Sequence, residues 1–340
     1  MSRITGIPPG KKGKAARKQG KSPGMLFGVN NNDENGHSAE WVAAKVLGDR
    51  GGFVEFTYNE AEFIAHVEGG TNLSYSLGLT PSILIGVANA YLGGINANTY
   101  ATACVNAITA VRGKNPGKPY YVFELINEPY NCGEKGSNAA DYALICKAVY
   151  EKVEAAGIPL WPATGGVMLL CAAHLTYQLK TSEKVAGAFS DYTTGGGWMK
   201  DFITAWPGAA TKVNGWTAHP YGFPKTEPTH EGNNNIRSAK LQRENAFAVG
   251  FGNCPGINNW WLTEFGYNIH AGEGIAFVPD AATQAAKLKE ALEEVEEFRQ
   301  EGWCKAAIVF ADGTVEWGID AKPAQKVLEE FAIKHGVAYP

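Results

Sequence analysis

Three short stretches of this chain place acidic, imidazole and phenolic side chains where chemistry is done. FELINEPY carries Asn127 and Glu128, TAHPYG carries His219 and Tyr221, and WWLTEFGY carries Glu264. Each begins as an apolar, strand-like run and turns polar at its end. Two carboxyl groups brought together from distant segments suit a reaction in which one donates a proton while the other attacks a carbon or activates water. Hydrolysis of a glycosidic bond is such a reaction. Its two carboxyl groups flank one bond, at about 5–5.5 Å when configuration is retained and about 6.5–9.5 Å when it is inverted.

The elements that would carry these residues alternate along the chain. Candidate strands lie at 25–30, 53–59, 82–89, 120–127, 159–164, 215–221, 260–266 and 306–312. Helical patterns run through SAEWVAAKVLGDR, NTYATACVNAITAVRG, AADYALICKAVYEKVEAAG, AATQAAKLKEALEEVEEFRQEG and AQKVLEEFAIKHG, several closed by glycine. Eight strands, each followed by a helix-sized segment, predict an α/β protein of the (β/α)8 TIM-barrel class. Such barrels gather their functional residues at the strand C-terminal ends, where Glu128, His219, Tyr221 and Glu264 fall. A doubly wound open sheet is the alternative. It calls for a phosphate-binding glycine loop after an early strand, and FGVNNNDENG is not one.

With the strand-end motifs in place, the chain from about Pro119 to Ala324 resembles clan A glycoside hydrolases. FELINEPY is similar to that clan's fourth-strand signature, TAHPYG to its sixth and WWLTEFGY to its seventh, while VEWGIDAKPA resembles the end of its eighth unit. The resemblance implies a retaining mechanism on a β-linked oligo- or polysaccharide, with Glu128 as acid/base and Glu264 as nucleophile. It further implies that Asn127 bonds the sugar 2-hydroxyl, that Tyr221 holds the Glu264 carboxylate, and that His219 lines the neighbouring subsite. The sequence departs from the clan at three points. FVEFTYN lacks the second-strand arginine, Ile126 stands where tryptophan often precedes the asparagine, and Phe310 takes the place of a sugar-stacking tryptophan. Trp317 is the expected substitute. A non-catalytic carbohydrate-binding or structural protein on the same barrel is the rival reading.

Other residues are assigned more plainly. Glu124, four before Glu128, is expected inside the barrel as a structural carboxylate paired to a base. Asn30 and His37, after the first strand, are candidates for sugar hydroxyls or members of a polar turn. Trp161 and Trp198 could stack on a sugar or fill the core. The seven histidines show no metal-binding spacing, so no metal and no organic cofactor are expected. The six cysteines form no CxxC pair; a Cys132–Cys171 disulfide is weighed but buried thiols are favoured.

The formal net charge of −4 argues against a nucleic-acid surface, and no apolar run is long enough to insert in a membrane. Two regions follow. Residues 25–340 form the barrel, and residues 1–24 form a basic Gly/Pro/Lys-rich arm that cannot bury enough surface to fold alone. No secretory leader is expected. The arm's ITGIPPGKKGKAARKQ resembles, over that stretch only, the start of tail proteins of phages that infect actinobacteria. It implies a virion setting in which the arm docks on other tail proteins, against a cytoplasmic enzyme with a loose tail.

Overall fold

The computed structural model describes residues 25–29, 48–49, 54–55, 60–76, 78–86, 96–129, 139–173, 197–222, 235–269, 276–310 and 317–336. The basic arm, the docking role read for it, Asn30, His37 and Cys132 lie outside the described residues.

Eleven strands are described: β1 (Leu26–Val29), β2 (Gly48–Asp49), β3 (Val54–Glu55), β4 (Thr80–Gly86), β5 (Tyr120–Leu125), β6 (Gly166–Ala172), β7 (Gly215–Ala218), β8 (Trp260–Phe265), β9 (Asn268–Ile269), β10 (Phe277–Val278) and β11 (Cys304–Val309). The main sheet runs β2-β1-β11-β8-β7-β6-β5-β4-β3, and every pairing in it is parallel. Because β2 pairs with both β1 and β4, the ladder comes full circle through eight positions, as a (β/α)8 barrel requires. Helices α1 (Glu60–Ser76), α2 (Ala97–Lys114), α3 (Ala139–Ala155), α4 (Gly197–Ala205), α5 (Ala209–Lys212), α6 (Ile236–Val249), α7 (Ala281–Gln300) and α8 (Pro323–His335) link the strands. Three start on side-chain caps that satisfy first-turn N–H groups: Asn96 on α2, Asn235 with Ser238 on α6, and Asp280 on α7.

Two expectations are corrected. The fifth strand is not 159–164. Pro159 and Pro162 have no N–H to give a ladder, and that stretch forms a turn whose Leu160 makes a lone bridge to Val167. The strand is Gly166–Ala172, an unbroken apolar run buried along its whole length, as a parallel strand covered on both faces should be. The second barrel position is shared by two short strands. β2 pairs with Thr80 and Pro81 at the start of β4, and β3 with Ile85 and Gly86 at its end. Gly48 and Asp49 therefore belong to the sheet, although the sequence pattern extends a helix to Arg50.

The strands alternate between two cores. Outward residues such as Phe27, Phe123, Leu169, Trp216 and Leu262 pack under the helices. Inward residues Leu26, Tyr120, Val122, Met168, Leu170, Trp261 and Ala306 fill the barrel, with Trp161 packed against them. Trp161 is thus a half-buried residue that packs against the barrel filling, while fully buried Trp198 is a core residue that packs on Tyr142. Cys171 is a free, buried thiol. Among the described residues no helix is long and apolar enough to cross a membrane.

Candidate active site

Above the apolar filling, the same inward positions turn polar. Two residues beyond Val122 on β5 comes Glu124, and two beyond Trp261 on β8 comes Thr263. Thr217 and His219 follow the same rule on β7 and just past its end. Glu124 is 0% exposed and His219 3%, so neither can keep water as its partner. His219 Nε2 lies 3.3 Å from Glu124 Oε1 and 3.1 Å from Thr263 Oγ1, and Thr263 shares a short hydrogen bond with Thr217. The other ring nitrogen, Nδ1, sits 2.9 Å from Glu128 Oε1 and 3.5 Å from Glu264 Oε2. The base expected beside Glu124 is therefore His219. That histidine bridges three carboxylates instead of merely lining a subsite.

Burial alone would pull the His219 pKa down. The charge of Glu264 and the hydrogen bonds that the ring donates to Glu124 and Glu128 outweigh it and raise the pKa from 6.5 to about 10. His219 is then an imidazolium at neutral pH, with both nitrogens donating.

Glu264 reaches this cluster through a bulge. Leu262 pairs with Ala307 and Phe265 with Val309, so β8 advances three residues while β11 advances two. Leu262 and Phe265 both face the outer core, which leaves Thr263 and Glu264 together on the inner side. Strict alternation would have turned one of them outward. Gly266 follows because nothing larger fits: a Cβ there would overlap the Phe310 carbonyl oxygen.

Glu128 is placed by the backbone beyond β5. Ile126 (φ 61°) and Glu128 (φ 38°) are both left-handed, an arrangement costly for any residue with a Cβ and more so for a β-branched one. The chain thereby turns sharply within two residues, and Asn127 comes to the rim half-buried between them. The Glu128 side chain is 22% exposed. Backbone outliers of this kind gather at functional sites.

Tyr221 donates a 2.8 Å hydrogen bond to Glu264 Oε2. Its ring meets those of Trp317 (5.3 Å between centroids) and Phe310 (6.3 Å), which also meet each other at 5.9 Å. These three aromatics form one wall beside Glu264. Of the residues expected at the site, the structure thus brings together Glu128, Glu264, His219, Tyr221 and Trp317, with Asn127 on the same rim. Glu124 was expected only as a structural carboxylate, and Thr263 was not singled out at all. Both carry a signal in the period-two pattern of their strands, because they are polar at positions facing the barrel interior.

Ligand atoms of Glu128, His219 and Glu264 all lie within 4.8 Å of one another, so among the described residues this is the group that could hold a cation. The ring hydrogen bonds argue for a different use. Nδ1 meets Glu128 at 2.9 Å and Nε2 meets Glu124 at 3.3 Å, so the protonated ring supplies positive charge to the carboxylates.

No known family profile matches the chain, and no curated protein resembles it in sequence. Solved structures do match. The β-glycosidase BGL167 superposes with a TM-score of 0.58 at 12% identity, over 93% of this chain and 98% of its own. A fungal β-1,4-galactanase gives 0.55 at 11%, covering 91% and 99%. The family 1 β-glucosidase from Thermotoga maritima gives 0.53 at 10%, covering 92% and 98%. At such identities the likeness concerns the fold alone, a parallel α/β barrel of the kind expected from the alternation of strands and helices. It carries nothing on the virion setting read from the arm.

Proposed function

We propose that this protein is a retaining O-glycoside hydrolase acting on a β-linked glycan, with Glu128 as acid/base and Glu264 as nucleophile. The observation that carries this reading is the meeting of two carboxylates from β5 and β8, with oxygens within 4.8 Å of each other at the barrel mouth. So close an approach supports a retaining pair, whose carboxyl groups stand about 5–5.5 Å apart, over an inverting pair at about 6.5–9.5 Å. The β-glycosidases among the structural neighbours support the substrate class.

In the first step Glu128 gives its proton to the glycosidic oxygen while a Glu264 oxygen attacks the anomeric carbon. The bond to the leaving group breaks, its electron pair departs with the protonated oxygen, and the sugar is held as an ester on Glu264. In the second step Glu128, now a carboxylate, takes a proton from water. The water oxygen attacks the same carbon and the ester bond breaks. Two inversions leave the configuration as it began. Tyr221 orients the attacking carboxylate, and the His219 imidazolium steadies the charge that alternates between the two glutamates. Asn127, at the rim between them, is positioned to bond the sugar 2-hydroxyl.

Glu128→Gln and Glu264→Gln should each abolish turnover of 4-nitrophenyl β-glycosides while sugar binding persists. Proton NMR of the wild-type reaction should show the β-anomer of the product first. An α-anomer appearing first, or a Glu264→Gln variant as fast as wild type, would overturn the mechanism. Sugar binding without turnover by the wild type would favour a carbohydrate-binding protein on this barrel.

A further inference from the structure

The aromatic wall beside Glu264 rests on carbonyl groups from two separate segments, and one side chain from a helix reaches both. Gln284 lies in the first turn of α7 and is 1% exposed. Its Nε2 is 2.8 Å from the Tyr267 carbonyl oxygen, 3.3 Å from that of Trp317 and 3.5 Å from that of Gly318. A primary amide has two N–H donors. One serves Tyr267, and the other is shared between the adjacent carbonyls of Trp317 and Gly318. Tyr267 passes the linkage on, because its buried hydroxyl donates to the Gly222 carbonyl oxygen at 3.1 Å.

Each tethered point adjoins a residue of the site. Tyr267 lies three residues after Glu264, Gly222 directly follows Tyr221, and Trp317 is itself part of the wall. The segments following β8 and β11 are therefore tied through one amide, and the Tyr267 hydroxyl extends the tie to the segment following β7. A hydrophobic residue of the same size could fill the space but would remove the donor that links the three carbonyl oxygens. Lys322 also donates to the Gly318 carbonyl, so Gly318 is held twice.

We propose that Gln284 is a positioning residue for saccharide binding: it holds Trp317 against Tyr221 and so sets the face that a sugar ring meets beside Glu264. The proposal deepens the glycosidase reading and rests on it for its substrate, though not for its geometry.

The test uses full-length Q284L in two measurements. In protein labelled with 15N-tryptophan, the Trp317 indole resonance, assigned with W317F, should shift or broaden in Q284L while the indoles of core residues Trp198 and Trp216 stay in place. On 4-nitrophenyl β-glycosides, KM should rise about tenfold, as expected when a buried hydrogen bond is lost, with kcat changing less than about threefold. W317F should show a similar KM, and adding Q284L to it should raise KM little further, because the two act through one contact. An unmoved Trp317 resonance with unchanged KM would overturn the proposal, as would a full additional effect of Q284L in the W317F background. Should Q284L not fold, Y267F cuts only the Gly222 tether and is expected to shift the same resonance less; no shift there would count against the linkage. A wild type inert on every glycoside would strike the glycosidase reading alone, since the indole measurement still decides on Gln284.

Discussion

Replacing His219 with glutamine should change how the stability of the protein depends on pH. The folded-state pKa of His219 is raised from 6.5 to about 10 by the carboxylates around it. Below pH 6.5 the ring is protonated whether the chain is folded or not, and the full stabilisation is present. Above 6.5 the unfolded chain loses that proton while the folded protein keeps it, so stability falls steadily until the folded ring also titrates near 10. At 1.36 kcal/mol for each unit between 6.5 and 10, the whole contribution is about 5 kcal/mol, and the loss between pH 7 and 9 alone is about 3 kcal/mol. Urea unfolding of wild type and His219→Gln at pH 7, 8 and 9 reads this out, because titrating groups away from His219 and its three glutamates cancel in the difference. The variant should be less stable by about 3–5 kcal/mol at pH 7, as when one partner of a buried ion pair is removed. The gap should narrow as pH rises. In parallel, the ring protons of His219 should titrate by NMR far above the ordinary histidine range. A gap that stays constant from pH 7 to 9, or a ring that titrates near 6.5, would refute the picture of an imidazolium held among three glutamates.

Two further outcomes follow from the same geometry. Tyr221→Phe removes the hydroxyl that meets Glu264 and should lower kcat/KM about 10- to 100-fold, the worth of a hydrogen bond to a charged group, with little change in melting temperature; equal activity would show that the bond does not orient the nucleophile. Met168→Ala empties part of the barrel filling and should cost about 2–5 kcal/mol in chemical denaturation, while KM at a temperature where the variant is folded stays as in wild type, since Met168 pairs with Val122, one inward position below Glu124.

Much of the site was legible before any fold was drawn, for a physical reason. Glu128, His219, Tyr221 and Glu264 each end or follow an apolar run, and a parallel barrel brings all such ends to one face. The partnership of His219 with Glu124 was half legible: the strand pattern put the glutamate inside, but which base would meet it depends on two strands far apart in sequence. The fifth strand was misplaced because Gly166–Ala172 is buried on both faces and shows no alternation, while the tryptophan and prolines just before it drew attention. Helix α1 was not recognised because EAEFIAHVEGGTNLSYS carries two interior glycines of low helix propensity. Its buried Phe63, Val67, Thr71 and Ser74 nevertheless follow helical spacing. Gln284 could not be read at all. In AATQAAKLKE it looks like one more polar residue on a solvent face, and only packing discloses that its helix turns it inward.

The left-handed pair at Ile126 and Glu128 bears on how this molecule could change over generations. Each such residue holds roughly 1–3 kcal/mol that the unfolded chain never feels. The surrounding fold has to outweigh that tension for as long as the acid/base is kept aloft at the rim. Glycine at position 126 would release the strain but empty the space that the fully buried Ile126 side chain fills, at a cost of about 2–5 kcal/mol, so the core itself keeps the strained residue in place.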